Sequence, residues 1–315
     1  MGNGGLTANL RRRPQCQALR AIVVLTPLLG TLVAGCNGPR GIEAVPPRDA
    51  REAMQRINDN LARIEGALYC PARASFRFRD ANGHDRRFLY HPATVVFERP
   101  RCLYYDIKSS IGGSVARIGS NDERYWLWID TPETHKLWHG TWEALEEGRA
   151  RPLAIPPSQL LDVLMMRPLS LQLPDGLKPL LETDGKQRRL LFIELDEGGW
   201  PHVRRELLLD PRPPYMPIEI IDRLGDGRVA MRAYLKGYKP VRGTGPDGPY
   251  TARRYAVYWE TNEAEMRLDF RDVRYRTKEL PFCEFPGAWE GEIELLDQPA
   301  DAKEGETVQE GVIQS

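Results

Sequence analysis

The chain has 315 residues, of which 41% are hydrophobic and 28% are charged, and its 44 Lys and Arg residues balance 44 Asp and Glu residues. This composition is typical of a folded protein rather than a disordered one, and the neutral total gives no support to nucleic-acid binding. A protein with several membrane-spanning helices is also excluded, because only one apolar run approaches the ~20 residues that cross a bilayer.

The first 35 residues predict a bacterial lipoprotein signal peptide. Four arginines between positions 11 and 20 precede an apolar run, 21–34, with no acidic residue among them. This is the order of a secretory signal, and Pro27 and Gly30 interrupt the run too much for a transmembrane helix. The run ends in Leu-Val-Ala-Gly-Cys36, which resembles the bacterial lipobox. The resemblance implies cleavage before Cys36 and acylation of its thiol.

Residues 36–48 are then predicted to form a lipidated tether that holds the protein on a membrane surface of the cell envelope, facing the periplasm. We expect the anchor to lie in the outer membrane rather than in the inner membrane. Three cysteines remain in the mature chain, so one intramolecular disulfide is possible in this oxidising compartment. We predict a bond between Cys70 and Cys102, because both flank early strands, and an unpaired Cys283.

A stripe of apolar residues over 49–68 predicts an amphipathic helix at the start of the folded body. Asp49 follows two prolines and is a suitable N-cap. The stripe recurs at steps of three and four and consists of Met54, Ile57, Leu61, Ile64 and Leu68.

The rest of the body has the period of two that is typical of strands, with one further helix at 156–166. The spacing between strands is short, which predicts an antiparallel arrangement and not βαβ units. The predicted strands are 74–79, 86–91, 94–98, 102–108, 114–119, 124–130, 134–139, 189–195, 202–210, 217–224, 228–239, 253–260 and 266–276. The fold class is therefore α+β, mainly β, with about 11–13 strands in one strongly curved sheet.

Several strands, such as 125–129 and 207–209, are apolar on both faces, so both faces need cover. Helices 49–68 and 156–166 are the candidates to cover the concave face. Their interface with the sheet is either a filled core or an apolar pocket, and both alternatives stay open at this point.

The body, 49–289, resembles the LolA/LolB superfamily of bacterial outer-membrane lipoprotein carriers and receptors. The resemblance lies in the leading helix 61–68, the strand pair 94–104, the turn and aromatic strand 118–128, and the strands 205–210 and 215–222. It implies an unclosed antiparallel β-barrel whose helices form a lid over an apolar cavity for acyl chains. It also implies a monomeric, non-catalytic protein that binds a lipid or an acylated lipoprotein without a cofactor or metal.

The predicted lining of this cavity combines apolar residues of the strands with three from the lid. The strand residues are Phe97, Tyr105, Trp126, Trp128, Leu207, Leu209, Met231, Leu235 and Phe270, and the lid residues are Leu61, Leu164 and Met165.

Two other functions remain possible: an envelope-sensing or protein-interaction module with the same fold, and a hydrolase. Nothing in the sequence indicates a catalytic centre. Residues 243–248 match the dinucleotide-binding pattern G-x-G-x-x-G, but Pro246 lies within the match and Pro249 follows it, which indicates a loop. His135 and His139 lie on a predicted strand, where positions four apart are too distant to share a metal ion.

The last 26 residues, 290–315, contain eight acidic residues and one basic residue. This composition predicts a solvated, disordered tail, with an acidic docking segment as the alternative.

Overall fold

A computed structural model of the chain shows a large antiparallel β-sheet with three short helices. It describes residues 45–79, 85–132, 134–151, 153, 155–170, 177–196, 198–277, 282–286 and 289–298. The predicted signal peptide, Cys36 and most of the predicted tether lie outside these residues. None of the helices in the described ranges is long and apolar enough to span a membrane.

The helices are α1 (Ala50–Ala62), α2 (Trp142–Glu146) and α3 (Pro157–Val163). The first nine strands are β1 (Leu68–Arg79), β2 (Asp85–Glu98), β3 (Cys102–Lys108), β4 (Ser114–Ser120), β5 (Arg124–Thr131), β6 (Thr134–Thr141), β7 (Leu180–Asp184), β8 (Gln187–Leu195) and β9 (Pro201–Leu209). The others are β10 (Pro217–Arg223), β11 (Val229–Lys236), β12 (Lys239–Pro240), β13 (Tyr250–Thr251), β14 (Arg254–Trp259), β15 (Ala264–Phe270), β16 (Arg274–Tyr275) and β17 (Glu292–Leu295).

The strands of the main sheet follow the order β17-β6-β5-β4-β3-β2-β1-β15-β14-β11-β10-β9-β8-β7, and β16 pairs with β1. All neighbours are antiparallel except β17 and β6, which are parallel. The edge strands β7 and β17 do not pair with each other, so the sheet is not closed. The predicted fold class, a mainly β, unclosed antiparallel sheet with few helices, is confirmed.

Helix α1 begins where the sequence predicts, because the Asp49 carboxylate accepts a hydrogen bond from the backbone N–H of Glu52 at 2.8 Å. It ends at Ala62 rather than at 68. The chain turns at Gly66, whose φ of +83° favours glycine, and Leu68 already starts β1. The apolar stripe continues past the helix because Leu68 enters the same core from the strand.

One face of the sheet, the inner face, forms a continuous core with α1 and α3. The helices contribute Met54, Ile57, Leu61, Leu160 and Leu161 to this core, all of them buried. The apolar residues of one parity on β1–β5, β8–β11, β14 and β15 complete it. The helices therefore cover one face of the sheet, as predicted.

The two ends of the sheet differ in their turns. The antiparallel order places turns 109–113 and 196–200 at one end, which we call the Ile111 rim. The opposite end holds the turn 210–216 between β9 and β10. The described chain enters here, because the Arg188 Nε donates to the Pro47 carbonyl at 3.2 Å and the Arg56 guanidinium lies over the Tyr215 ring. We call this end the entry rim.

The predicted disulfide is wrong: Cys102 bonds to Cys283, with a Cα–Cα distance of 5.5 Å, and Cys70 is a buried free thiol. Strand β2 lies between the strands that carry Cys70 and Cys102, so their backbones are two strand spacings, about 9–10 Å, apart. This separation is too large for a disulfide. Cys70 also faces the inner core.

The disulfide joins β3 to residues 282–286 and 289–298, which together we call the strap. The strap adds β17 to the sheet and covers the outer face of β5 and β6. Its Asp297 carboxylate accepts hydrogen bonds from the backbone N–H and the hydroxyl of Thr141. The prediction of a disordered tail from 290 onward is therefore wrong for 292–298, since Lys136 also pairs with Glu292 and Glu294 there. Residues 299–315 lie outside the described ranges.

Candidate functional site

An apolar hollow opens at the Ile111 rim, on the inner face of the first five strands. Its cavity volume is about 30 Å³. All of its lining side chains are apolar: Phe76, Phe78, Phe88, Ile107, Ala116, Ile118, Leu127, Ile129 and Ile155. In this conformation the hollow holds no more than a group the size of a water molecule.

A second hollow of about 300 Å³ lies at the same rim, on the inner face of β8, β9 and β10. Its walls mix apolar side chains, such as Phe192, Leu207 and Ile220, with a group of charged ones. The charged residues are Asp162, Arg167, Glu194, Arg204, Arg205 and Asp222.

Residues 155–170, which we call the lid segment, contribute to both hollows: Ile155 lines the first, and Asp162 and Met165 line the second. The segment contains α3, which begins with Pro157 in its first turn, where the missing N–H has no helical partner. Helix α3 buries Leu160, Leu161 and Val163 in the inner core. The lid segment therefore borders both hollows.

An ion-pair network joins the lid segment to the sheet. Arg205 on β9 donates to Asp222 on β10 at 2.6 and 2.9 Å, and to Asp162 of α3 at 2.8 Å. Arg167 donates to the other Asp162 oxygen at 2.7 Å. Burial alone lowers the pKa of Arg205, but the two carboxylates outweigh it and raise the pKa, so the guanidinium stays charged.

Ten of the twelve predicted cavity residues face the inner core. Only Met165 and Leu207 line a hollow. The other eight are packed core side chains: Leu61, Phe97, Tyr105, Leu164, Leu209, Met231, Leu235 and Phe270. Of the two alternatives left open by the sequence, the filled core describes most of the interface, and the two hollows described above lie at the Ile111 rim.

The structure places the remaining two predicted residues, Trp126 and Trp128, on the outer face. Trp126 makes an edge contact with Phe285 of the strap, and Trp128 makes one with Trp289. Their neighbour Leu127 is the residue that lines the apolar hollow. Strand β5 is apolar on both faces, so alternation alone did not show which set points inward.

The sequence reasoning missed the aromatic residues Phe76, Phe78 and Phe88 at the rim. The alternation of Phe76 and Phe78 with arginines could have indicated them. It occurs immediately before a turn, so it places apolar side chains at the end of the sheet. Strand length and register then bring Phe88 opposite Phe76.

Tyr105 lies behind the apolar hollow, with 0% exposure. It is on the same face of β3 as Ile107, is paired with Ile118 of β4, and its ring centroid is 5.6 Å from that of Phe76. Among the residues that the structure describes, its hydroxyl has no hydrogen-bond partner. Burial raises the pKa of Tyr105 well above its usual value, so the hydroxyl remains protonated.

Large apolar side chains are exposed at the Ile111 rim. Ile111 is 96% exposed on a turn whose Gly112 and Gly113 have φ values of +96° and +81°. Trp200 is 73% exposed on the turn after β8, where the Asp196 carboxylate accepts hydrogen bonds from the N–H groups of Gly198 and Trp200. The exposed Leu89 and Tyr90 lie beside the Ile111 turn, since His91 contacts the Lys108 carbonyl.

His135 and His139 lie on strand β6, as predicted, and both face the strap. His135 stacks on Trp289, and its Nδ1 is 2.9 Å from Asp130. Burial and the nearby Arg124 lower the pKa of His139. Among the residues that the structure describes, no group of three or more His, Cys, Asp or Glu side chains is arranged to hold a metal ion.

The chain matches no family model and no curated protein. Similar solved structures include a putative outer membrane lipoprotein-sorting protein domain from Vibrio parahaemolyticus, at 12% identity over 74% of this chain and 95% of that one (TM-score 0.41). A DUF1329 family protein from Desulfovibrio piger matches at 10% identity over 75% and 96% (TM-score 0.43). A LolA superfamily protein from Nitrosomonas europaea matches at 11% over 73% and 97% (TM-score 0.42). Similarity at this level concerns the fold alone.

Proposed function

We propose that this protein is a lipid-anchored, non-catalytic protein of the bacterial envelope that binds a lipid or the acyl chains of a lipoprotein. The observation that carries the proposal is the apolar hollow under the lid segment. Its lining has no polar side chain, and it opens at a rim where Ile111 and Trp200 are exposed. An acyl chain is the ligand that such a surface fits, because each buried methylene contributes about 0.8 kcal/mol.

Binding requires the lid segment to move, because the hollow of about 30 Å³ is far smaller than an acyl chain. The lid segment is suited to this movement. Helix α3 is only seven residues long, and besides its apolar contacts Asp162 pairs it with Arg205 of the sheet. We therefore take the structure to be a closed conformation of a binding protein, with trafficking of lipid or lipoprotein to the outer membrane as its role.

The test is purification of the chain from residue 37 onward, without its predicted signal and lipid site, in the absence of detergent. All described elements belong to one compact unit beginning at Pro39, so this chain retains the fold. Mass spectrometry is expected to find a bound acyl lipid. The matched variant is Ala116→Phe, which fills the apolar hollow and should lose the lipid while it keeps the circular dichroism spectrum.

A lipid-free wild-type preparation that also fails to bind added phospholipid would contradict the proposal. The fold would then serve as an envelope-sensing or protein-interaction module. Equal lipid content in wild type and Ala116→Phe would show that the lipid binds elsewhere.

A further inference from the structure

The hydroxyl of Tyr105 has no hydrogen-bond partner within the described part of the chain and lies in an apolar region of the inner core. Phe76, Val95 and Ile118 surround the ring through the sheet pairings and the aromatic contact. A phenylalanine would make the same packing contacts. An unpaired buried hydroxyl destabilises the folded state, so packing does not account for a tyrosine at this position.

The position of this hydroxyl relates it to the apolar hollow. Ile107 and Ile118, which form the wall of the hollow, are the next residue on the same face of β3 and the residue paired with Tyr105 on β4. Tyr105 thus lies in the same layer of side chains as Ile118, at the wall of the hollow and farther from the Ile111 rim than Ile107. An acyl chain that entered between the sheet and the displaced lid segment would bring its polar end, or a carbonyl along its length, past this layer.

We propose that the Tyr105 hydroxyl donates a hydrogen bond to the carbonyl oxygen of a bound acyl ester or amide. This inference rests on the proposed function and adds the chemical group by which the ligand is selected. A neutral carbonyl suits the site, because the neighbouring side chains are apolar and offer no counter-charge to a carboxylate. Esters and amides share this acceptor. Comparing the affinities of the two distinguishes phospholipid-type from lipoprotein-type acyl groups.

The test compares four ligands on the chain from residue 37: methyl dodecanoate, N-methyl dodecanamide, dodecanoate and dodecane. Each displaces the dye N-phenyl-naphthylamine, and the dissociation constants are taken as ratios to that of dodecane. We expect Tyr105→Phe to weaken binding of the ester or the amide about fivefold relative to dodecane, which corresponds to one neutral hydrogen bond. Dodecane binding is expected to be unchanged.

The stability of the variants provides the second readout. Tyr238 is the matched control, because its hydroxyl donates to the Pro217 carbonyl at 2.7 Å. Tyr238→Phe should lower the urea midpoint of unfolding, whereas Tyr105→Phe should leave it unchanged or raise it, since no hydrogen bond is lost.

Three results would overturn the inference. Unchanged ratios in Tyr105→Phe mean that the hydroxyl does not contact the ligand. A fall in stability as large as that of Tyr238→Phe means that it already has a partner. Tighter binding of dodecanoate than of the ester means that the site selects a charge. Failure of all four ligands to bind wild type contradicts the proposed function itself, and is distinguished by the absence of any displacement.

Discussion

Asp162 is the side chain through which the lid segment is held on the sheet. It is 16% exposed and accepts from both Arg205 and Arg167, while Arg205 is held a second time by Asp222. When the lid segment moves away, only the ion pair between Arg205 and Asp162 is broken. Arg205 remains paired with Asp222 on the sheet, and Asp162 remains paired with Arg167 within the lid segment. Opening the lid thus leaves no charge of this network without a partner, so the ion pairs add little to the cost of the movement.

We expect Asp162→Asn to lower the free energy of unfolding by about 1–3 kcal/mol, because charge-assisted hydrogen bonds to two arginines are weakened. Amide hydrogen exchange in α3 should become faster by more than the global change, and urea unfolding provides the global value. The control is Asp226→Asn, whose pair with Arg228 is exposed. This control is expected to change stability by less than about 1 kcal/mol. Equal effects of the two substitutions would contradict a role for Asp162 in holding the lid.

Residue roles were predictable from the sequence only where one face of a strand is polar. On β11, Met231 and Leu235 alternate with Arg232, Tyr234 and Lys236, none of which is buried, and both face the inner core. On β5 every residue from Tyr125 to Ile129 is apolar, and the strap covers the outer set. The sequence of β5 itself does not indicate that a segment more than 150 residues away packs on its outer face.

The strap is the element that was least predictable from the sequence. Its acidic composition predicts solvated chain, yet Lys136 and Arg151 pair with the carboxylates of β17, and Trp289 and Phe285 pack on the outer aromatic residues. Long-range pairing and the disulfide outweigh local composition here. Most predicted strands of the body, by contrast, match strands of the structure, because turns and alternation specify a meander locally. Exceptions include the predicted strands 86–91 and 94–98, which form the single strand β2, the earlier start of β1, and β7, which was not predicted.

We expect loss of the strap disulfide to lower the free energy of unfolding by about 2–5 kcal/mol, since the bond closes a long loop in the unfolded chain. The cysteines are separated by 181 residues. Wild type and Cys70→Ala should both lose stability when a reductant is added, and Cys283→Ser should not respond. The measurement is urea unfolding with and without reductant. A reductant-sensitive Cys283→Ser protein, or an insensitive wild type, would contradict the pairing.

At the scale of the whole molecule, both hollows and the largest exposed apolar side chains share one rim. Under the proposed function this rim is where a lipid enters. We expect the double substitution Ile111→Ser and Trp200→Ser to slow uptake of a fluorescent phospholipid from vesicles about tenfold. The reason is that indole and aliphatic side chains favour the bilayer interface.

The control for this experiment is Val45→Ser, an exposed apolar residue at the entry rim. It should leave the rate of uptake unchanged. All three substituted positions are exposed, so the free energy of unfolding should stay within about 0.5 kcal/mol of wild type. The rim proposal fails if Val45→Ser slows uptake as much as the double variant does.

Because the chain enters at the entry rim, the length of the linker from Cys36 limits how far the Ile111 rim can lie from the anchor. Strand β9 has nine residues and separates the two rims by about 26 Å. Nine residues also lead from Cys36 to Val45, and these reach at most about 30 Å when fully stretched. In the proposed anchored form, a relaxed linker therefore keeps the Ile111 rim turned away from the bilayer that holds the acyl chains. Only a linker drawn taut along the molecule lets anchor and rim meet one bilayer, so its length selects between receiving a lipid and delivering it.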